Sequence, residues 1–228
     1  MPFLTALVAA AGQGRRMGAG RNKVLLNLRG RPVLTYSLDV LESSPLVHAV
    51  IVITRREDMD QCREILGSRY SKVVGLVEGG EERQDSVYRG LKALPEETEL
   101  VAVHDAARPL MDEGLLARVV AAAREWGGAV AAVPVRDTIK RDDGQGLVGE
   151  TLVRQNLWAA QTPQVFRRAW LEEAYRRGRA EGWRVTDDAS LVEKCGYPVK
   201  LVKGDYRNLK ITTPYDLLLA AALLEMRS

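Results

Sequence analysis

The sequence predicts an α/β protein with a mostly parallel β-sheet and helices on both faces. Apolar runs of strand length alternate along the chain with segments in which apolar residues recur at helical spacing. The strand runs are apolar almost throughout, as in the segment 47–54 (VHAVIVIT), which indicates strands that are buried on both faces. Such alternation is typical of βαβ units, in which helices connect neighbouring parallel strands.

These patterns give the elements in chain order. Strands are predicted at 3–11, 47–54, 72–77, 100–103 and 129–135. Helices are predicted at 32–41, 58–66, 85–94, 115–126, 187–194 and 217–226. Pro32 lies near the start of the first helix, and Thr213-Pro214 precede the last as a cap and a first-turn proline. Proline suits these positions because the first N–H groups of a helix have no helical partners.

The regular alternation breaks between Arg136 and Gln161. Two short extended pieces flank the turn dipeptide Asp143-Gly144, which predicts a β-hairpin inserted into the main fold. A surface excursion explains such a segment, but its length also favours an arm with a functional or oligomeric role. No internal repeat, low-complexity tract or linker is visible. We therefore predict one domain over 1–228, with an inserted arm at about 136–161.

Composition excludes several classes of protein. The chain has 228 residues, 46% of them hydrophobic, which is too apolar for a disordered protein. Its 33 basic and 30 acidic residues leave a net charge of +3, without the one-sided clustering of a nucleic-acid-binding surface. The two cysteines lack disulfide-scaffold or zinc-site spacing. No signal peptide or membrane-spanning stretch is apparent. We expect a soluble cytoplasmic protein that binds neither nucleic acid nor membrane.

A glycine-containing loop, 9–17 (AAAGQGRRM), follows the first predicted strand. Its two glycines allow a sharp turn and bring backbone N–H groups close to an anionic ligand. Met17 replaces the third glycine of the dinucleotide-binding fingerprint, and no Gly-Lys-Ser/Thr of a P-loop follows. The loop region instead carries four cations, namely Arg15, Arg16, Arg21 and Lys23. This charge favours a triphosphate that loses pyrophosphate, although a tight turn with solvated arginines explains the glycines equally well.

Further motifs make the sequence recognisable. The loop resembles that of nucleotidyltransferases that transfer a nucleoside monophosphate to sugar and polyol phosphates. In order over 9–216, other blocks resemble the 2-C-methyl-D-erythritol 4-phosphate cytidylyltransferase family: GGEERQDSV (79–87), HDAARP (104–109), PVRDT (134–138), QTPQ (161–164), TDDAS (186–190) and NLK (208–210). Two positions depart from the family pattern. Asn22-Lys23-Val24 stands where Pro-Lys-Gln is usual, and Glu81 stands where Asp is common.

The resemblance implies a fold, a reaction and partners. The fold would be a Rossmann-like nucleotidyltransferase sheet. CTP, with Mg²⁺, would donate CMP to the phosphate of 2-C-methyl-D-erythritol 4-phosphate, giving 4-diphosphocytidyl-2-C-methyl-D-erythritol and pyrophosphate. The arm would form a homodimer.

The residue types fit this chemistry. His48 and His104 are the only histidines, and no Ser-His or Cys-His arrangement is evident. An attacking phosphomonoester oxygen is already ionised near neutral pH, so it needs no general base. Two polyanions need charge neutralisation and in-line positioning instead, which the cations of the loop can provide.

The resemblance also implies individual roles. The predicted catalytic residues are Arg16 and Lys23, near the α-phosphate and leaving pyrophosphate, with Lys210 and the arm residue Arg154 at the substrate phosphate. The predicted nucleotide contacts are Ala9, Ala10, Ala11, Gly12, Gly14, Gly80, Glu81, Ser86 and Ala106. The predicted substrate contacts are Asp105, Arg108, Thr138, Thr186 and Asp187. Asp105 is also the predicted metal ligand, because it ends an apolar strand at the carboxyl edge of the sheet.

Some of these residues have structural alternatives. Ser86 could make a local bond at the start of a helix. Asp105 could cap the turn at 106–107 or pair with Arg108. Thr186 could be the N-cap of helix 187–194.

Three other functions compete with the main prediction. Cytidylyl transfer to ribitol 5-phosphate would use a similar CTP half-site. A non-catalytic nucleotide-binding module would keep the fold, but it has no need of cations around a leaving group. A dinucleotide-dependent dehydrogenase is disfavoured by Met17.

Overall fold

The computed structural model describes residues 2–12 and 22–226. Its strands are β1 (Phe3–Ala9), β2 (Asn27–Leu28), β3 (Arg31–Pro32), β4 (Ala49–Thr54), β5 (Val73–Glu78), β6 (Thr98–Asp105), β7 (Gly128–Pro134), β8 (Lys140–Asp142), β9 (Val148–Thr151), β10 (Trp158–Arg167) and β11 (Lys200–Lys203). Its α-helices are α1 (Val33–Ser43), α2 (Met59–Leu66), α3 (Arg83–Leu91), α4 (Glu113–Trp126), α5 (Arg168–Ala180), α6 (Asp188–Lys194) and α7 (Pro214–Glu225). No described helix is long and apolar enough to cross a membrane.

Seven strands form the central sheet in the order β11-β7-β10-β6-β1-β4-β5. All neighbours are parallel except β10, which is antiparallel to both β6 and β7. The predicted mostly parallel α/β sheet is therefore confirmed. From β1 the chain builds outward through β4 and β5, and then returns to place β6 on the other side of β1. The carboxyl ends of β1 and β6 thus form a topological switch point, where ligands bind in open α/β sheets.

Helices cover both faces of the sheet, as the apolar strand runs require. Successive side chains of a strand point to opposite faces, so Ala6 and Val8 of β1 pack in one core cluster and Leu7 packs in the other. The first cluster is completed by α1, α2 and α4, and the second by α3, α5 and α6. Every residue of β4 is buried, which explains its uninterrupted apolar sequence.

Several elements escaped the sequence patterns. Strand β10 contains Gln161, Thr162, Pro163 and Gln164, which do not resemble a central strand, and its register against β7 shifts between Ala160 and Gln164. This irregularity accommodates a proline that could not donate to a regular ladder. Helix α5 is rich in charge and buries only a narrow stripe, and β2, β3 and β11 are short.

The predicted hairpin is present as β8 and β9. All of its strand residues are exposed, and Leu147, Val148 and Val153 are large apolar side chains with more than half of their surface exposed. Strand β10 begins at Trp158, so the last residues of the predicted span 136–161 pair with β7 in the central sheet. The arm itself packs little of its own apolar surface within the chain.

Candidate active site

A cavity lies at the topological switch point, and the strand register accounts for its position. Ala9 at the end of β1 pairs with Asp105 at the end of β6, and Ala106 N–H donates to the Ala9 carbonyl oxygen at 3.1 Å. The chain that follows each strand therefore opens into the same space. The lining residues are Ala9, Ala11, Gly12, Lys23, Val24, Gly80, Glu81, Glu82, Arg83, Ser86, Asp105, Ala107 and Lys210.

Most of the predicted nucleotide contacts meet in this cavity. Of the predicted set, Ala9, Ala11, Gly12, Gly80, Glu81 and Ser86 line it, together with Lys23, Asp105 and Lys210. Ala10 and Ala106 are fully buried and do not line the cavity, although each is next in sequence to lining residues. Gly14 and Arg16 lie outside the described residues. The lining residues come from separate parts of the sequence, at 9–12, 23–24, 80–86, 105–107 and 210.

The wall at 79–82 depends on two close backbone approaches. A Cβ at Gly79 would lie 2.4 Å from the Cβ of Ala11, and one at Gly80 would lie 2.3 Å from the Cβ of Asp85, so neither position has room for a side chain. The Ser86 hydroxyl accepts from Gly80 N–H at 3.1 Å and donates to the Glu82 carbonyl oxygen at 3.0 Å. The local bond considered for Ser86 is therefore present, and it holds this wall in place.

Asp105 is the centre of a charge network. Its Oδ1 accepts from Nε of Arg83 at 3.0 Å, and its Oδ2 accepts from Nζ of Lys210 at 2.6 Å. Burial alone would raise the pKa of Asp105, but the positive charges of Arg83 and Lys210 hold that pKa well below its usual range. The carboxylate is thus ionised and fixes two cations at the cavity wall.

Neither structural alternative for Asp105 is realised: its carboxylate does not cap the turn at 106–107, and it does not pair with Arg108. The Arg108 guanidinium donates to the backbone oxygen of Asn208 at 2.7 Å and to that of Ala160 at 3.4 Å. The turn after β6 is closed by Arg108 N–H on the Asp105 backbone oxygen, at 2.9 Å, and not by the carboxylate. Asp105 lines the cavity together with both of its partners, Arg83 and Lys210.

Arg83 is a site residue that sequence reasoning missed. Its Nη2 donates to Oδ2 of Asp188 at 2.7 Å, and Oδ1 of Asp188 accepts from the Tyr175 hydroxyl at 2.5 Å. Burial lowers the pKa of Arg83, but Asp188 and Asp105 together raise it well above its usual value. One signal was available. Arg83 is the first residue of α3, where the helix dipole disfavours a cation unless carboxylates hold it.

The histidine beside Asp105 is buried and bonded on both ring nitrogens. Nε2 of His104 lies 3.1 Å from the Ser37 hydroxyl, and Nδ1 lies 3.1 Å from the Thr162 hydroxyl, which also accepts from Asp105 N–H at 3.0 Å. Burial lowers the pKa of His104 to about 4, so the ring is neutral at physiological pH. His104 therefore supports the strand end, and it lines neither the cavity described above nor the one that adjoins it.

A second cavity adjoins the first and shares Arg83, Asp105 and Lys210 with it. The predicted substrate contacts Arg108, Thr186 and Asp187 line this cavity. Asp187 also caps α6, because its Oδ1 accepts from Ser190 N–H at 3.1 Å, and its Oδ2 accepts from Nε2 of Gln164 at 2.9 Å. The N-cap alternative for Thr186 was therefore wrong by one residue.

Two predicted residues lie away from both cavities. Thr138 and Arg154 belong to the arm segment, and neither lines a cavity described above. The Arg154 guanidinium donates to the backbone oxygen of Arg136, and the side chain is otherwise exposed. Within one chain, these residues do not join the site.

The donor set does not fit a metal ion held by the protein alone. Within residues 2–12 and 22–226, no group of three or more His, Cys, Asp or Glu side chains could hold a metal ion. Both carboxylate oxygens of Asp105 accept from cationic side chains. A divalent cation at this site would need most of its ligands from a bound polyanion.

Two adjoining cavities with a shared cationic boundary can hold two anionic reactants next to each other. With the switch-point position and the glycine-containing loop after β1, this arrangement defines a nucleotidyltransferase. The model of the 2-C-methyl-D-erythritol 4-phosphate cytidylyltransferase (IspD) family matches residues 4–226. The chain belongs to this family.

The chain is similar in sequence to curated proteins over almost its whole length. It is 47% identical over 222 residues to the 2-C-methyl-D-erythritol 4-phosphate cytidylyltransferase of Microcystis aeruginosa, covering 97% of this chain and 98% of that protein. It is 43% identical over 230 residues to the enzyme of that name from Desulforamulus reducens, covering 100% of this chain and 98% of that protein. Among solved structures, 4-diphosphocytidyl-2C-methyl-D-erythritol synthase from Anaerococcus prevotii superposes with a TM-score of 0.87 at 33% identity, covering 98% of each chain. The structure of 2-C-methyl-D-erythritol 4-phosphate cytidylyltransferase from Thermus thermophilus superposes with a TM-score of 0.79 at 36% sequence identity, covering 96% of this chain and 98% of that chain.

Proposed function

We propose that this enzyme transfers CMP from CTP to the phosphate of 2-C-methyl-D-erythritol 4-phosphate. An oxygen of the acceptor phosphate bonds to the α-phosphorus of CTP, and the bond to the pyrophosphate oxygen breaks. The products are 4-diphosphocytidyl-2-C-methyl-D-erythritol and pyrophosphate. The observation that carries this proposal is the boundary of Arg83, Asp105 and Lys210 that the two cavities share.

CTP would occupy the first cavity. Small lining residues and backbone groups at 9–12 and 79–81 leave room for the nucleoside, with Gly80 and Ser86 near cytosine and Glu81 near ribose. Lys23 lines the same cavity and would stabilise charge on the α-phosphate and on pyrophosphate, together with Arg16. These groups favour the transition state because its charge is spread toward the leaving group.

The polyol phosphate would occupy the second cavity. Lys210 lies at the boundary, where it would hold the acceptor phosphate in line with the α-phosphorus. Arg108 would add a second positive charge, and the ionised Asp105 would accept from a polyol hydroxyl. Thr186 and Asp187 would border the carbon chain.

We propose a homodimer formed through the arm. The exposed apolar side chains of Leu147, Val148 and Val153 would be buried against a second copy of the chain. Thr138 and Arg154 would then contact the acceptor in the partner subunit's site; this proposal is supported by the finding that neither residue lines the two cavities of its own chain. The chain is proposed to form one domain over 1–228, with the arm at about 136–161 as an insertion.

Mg²⁺ is proposed to arrive as part of the substrate, as the complex with the triphosphate of CTP. The oxygens of Asp105 are already engaged, so the triphosphate would supply most of the metal's ligands. A cytoplasmic location is supported by two free thiols, Cys62 and Cys195.

An acceptor screen tests the proposed function. Purified protein with CTP and Mg²⁺ should release pyrophosphate with 2-C-methyl-D-erythritol 4-phosphate and release far less with ribitol 5-phosphate. A preference for ribitol 5-phosphate would reassign the acceptor, and absence of release with both would favour a non-catalytic module. Calorimetry with Mg²⁺ alone should show no binding, whereas Mg²⁺ should bind in the presence of CTP.

A further inference from the structure

Asn22, the residue just before Lys23, is buried. Asn22 is 1% exposed, although its side chain is a primary amide. Its Nδ2 donates to the backbone oxygen of Ala10 at 2.7 Å and to Oδ2 of Asp58 at 2.8 Å, and its Oδ1 accepts from Val24 N–H at 3.3 Å. Burying an amide is costly unless its hydrogen bonds are made, and here both polar atoms are bonded.

The Asp58 carboxylate that accepts from Asn22 is held in place by Arg55. Asp58 stands at the N-cap position of α2, where an aspartate usually accepts from the first N–H groups of the helix, yet it makes no such bond. Its carboxylate instead accepts from Nε of Arg55 at 2.6 Å and from Nη2 at 2.9 Å. This two-point contact fixes the oxygen that receives the Asn22 amide.

The three contacts of Asn22 fix the chain on either side of Lys23. The bond to Ala10 anchors residue 22 at the end of β1, and the bond to Asp58 anchors it to the connection between β4 and α2. The bond from Val24 starts the short 3-10 helix Lys23–Leu25. The backbone at Asn22 has φ −65° and ψ 120°. Three hydrogen bonds of the Asn22 side chain therefore fix the backbone from which the Lys23 side chain extends.

We propose that Asn22 is a positioning residue for Lys23, with Arg55 and Asp58 as its support. This inference rests on the proposed role of Lys23 toward CTP. Asn22 is buried and does not line the cavity that holds Lys23. It acts on the reaction only through the placement of the Lys23 ammonium group. A small displacement of such a group costs turnover, because charge stabilisation depends on distance from the reacting atoms.

A double-mutant cycle tests the inference. Asn22→Ala should lower kcat by roughly ten- to a hundredfold. In a Lys23→Ala background the same substitution should lower kcat by less than about twofold, since the group it places is gone. Asp58→Asn, a smaller change, should show the same dependence on Lys23. Cys62→Ala, on the buried face of α2, controls for loss of stability and should leave kcat near that of the parent protein.

The outcomes separate the inference from the proposed function. Equal losses from Asn22→Ala in both backgrounds, or no loss in the parent, would overturn the positioning role. If Lys23→Ala itself retains parental turnover, the proposed role of Lys23 fails instead. If Asn22→Ala does not fold, Asp58→Asn in both backgrounds decides between these outcomes. A loss with Cys62→Ala as large as that with Asn22→Ala would also overturn the inference, because stability alone would then explain it.

Discussion

At the scale of single residues, Asp105 prepares the site for anions. A carboxylate that is already ionised and bonded to Arg83 and Lys210 keeps both cations oriented before any substrate is bound. Such preorganisation reduces the reorganisation needed when charge develops in the transition state. Arg83 also donates to the carboxylate of Asp188. Lys210 forms its ion pair with Asp105.

The first prediction concerns the cations nearest the leaving group. Lys23→Ala or Arg16→Ala should reduce kcat by about a hundredfold or more, whereas the Kd for CTP should change much less, because each cation acts chiefly on transition-state charge. Steady-state kinetics at saturating substrates and calorimetry with CTP measure the two effects. Turnover close to that of the parent in either variant would contradict the assignment.

The second prediction concerns the acceptor phosphate. Lys210→Ala should raise the KM for 2-C-methyl-D-erythritol 4-phosphate by roughly ten- to a hundredfold, as expected for loss of a charge-assisted hydrogen bond. CTP binding, measured by calorimetry, should change little. Lys203→Ala is the matched control, because Lys203 is an exposed lysine of β11 that lines neither cavity. Equal losses for both ligands would place Lys210 on the nucleotide side or give it a structural role.

At the scale of elements, the site is made by the connections that follow the strands, and no residue of the arm strands β8 and β9 lines either cavity. The loops after β1, β5 and β6 converge because their strands are parallel, and α3 contributes through its first turn. Strands β8 and β9 pair only with each other and stay exposed on both faces. A two-stranded hairpin gains stability when a partner covers it.

The third prediction tests the contribution of the arm in trans. Arg16→Ala and Arg154→Ala proteins should each be nearly inactive if both residues serve one site. In a mixed dimer one site would carry both substitutions and the other neither. Random reassortment of equal amounts should therefore restore about a quarter of the parental activity, by two-fold symmetry. Coexpression, or refolding of a mixture with subunit exchange verified by mass, provides the measurement.

The mixing experiment also tests the alternative that Arg154 acts in the site of its own chain. If Arg154 acted within its own chain, every site in every dimer would carry one substitution, and mixing would restore nothing. Confirmed exchange without recovery would thus exclude a shared site. Equilibrium sedimentation of the parent protein would still report whether the arm forms a dimer.

At the scale of the whole molecule, the site depends on a buried polar layer beneath it. His104 connects α1, through Ser37, with β10, through Thr162, at the point where β6 ends. Because the ring is fully buried and bonded as the neutral form, its protonation opposes folding. The pH dependence of stability is therefore a property of this layer.

The fourth prediction follows from the pKa of His104, which burial lowers from 6.5 to about 4. Between these pH values the unfolded chain binds the proton and the folded chain does not, so the free energy of unfolding should fall as the pH drops from 6.5 toward 4. The full effect is on the order of 3 kcal/mol. Urea unfolding at several pH values measures it, and His104→Gln should flatten the dependence over this range. An unchanged slope in that variant would contradict the assignment.

Local patterns in the sequence were sufficient for the fold class and for most of the central strands, but not for every element. Uninterrupted apolar runs such as that of β4 indicated strands buried on both faces, and helical periodicity marked most of the covering helices. Thr213 and Pro214 marked the start of α7, where the capping box with Asp216 is present. Strand β10 escaped because its polar residues and Pro163 are tolerated only through pairings with β6 and β7.

For the site, the sequence indicated residues but not their contacts. Glycines and cations at fixed spacing, with the family resemblance, indicated which residues to examine, and most of them line the two cavities. The partners of those residues were decided only by tertiary structure. Lys210 and Asp105 are 105 residues apart in the sequence, as are Arg83 and Asp188. No local periodicity encodes such pairs, because a charged side chain takes whichever opposite charge the packed sheet brings within reach.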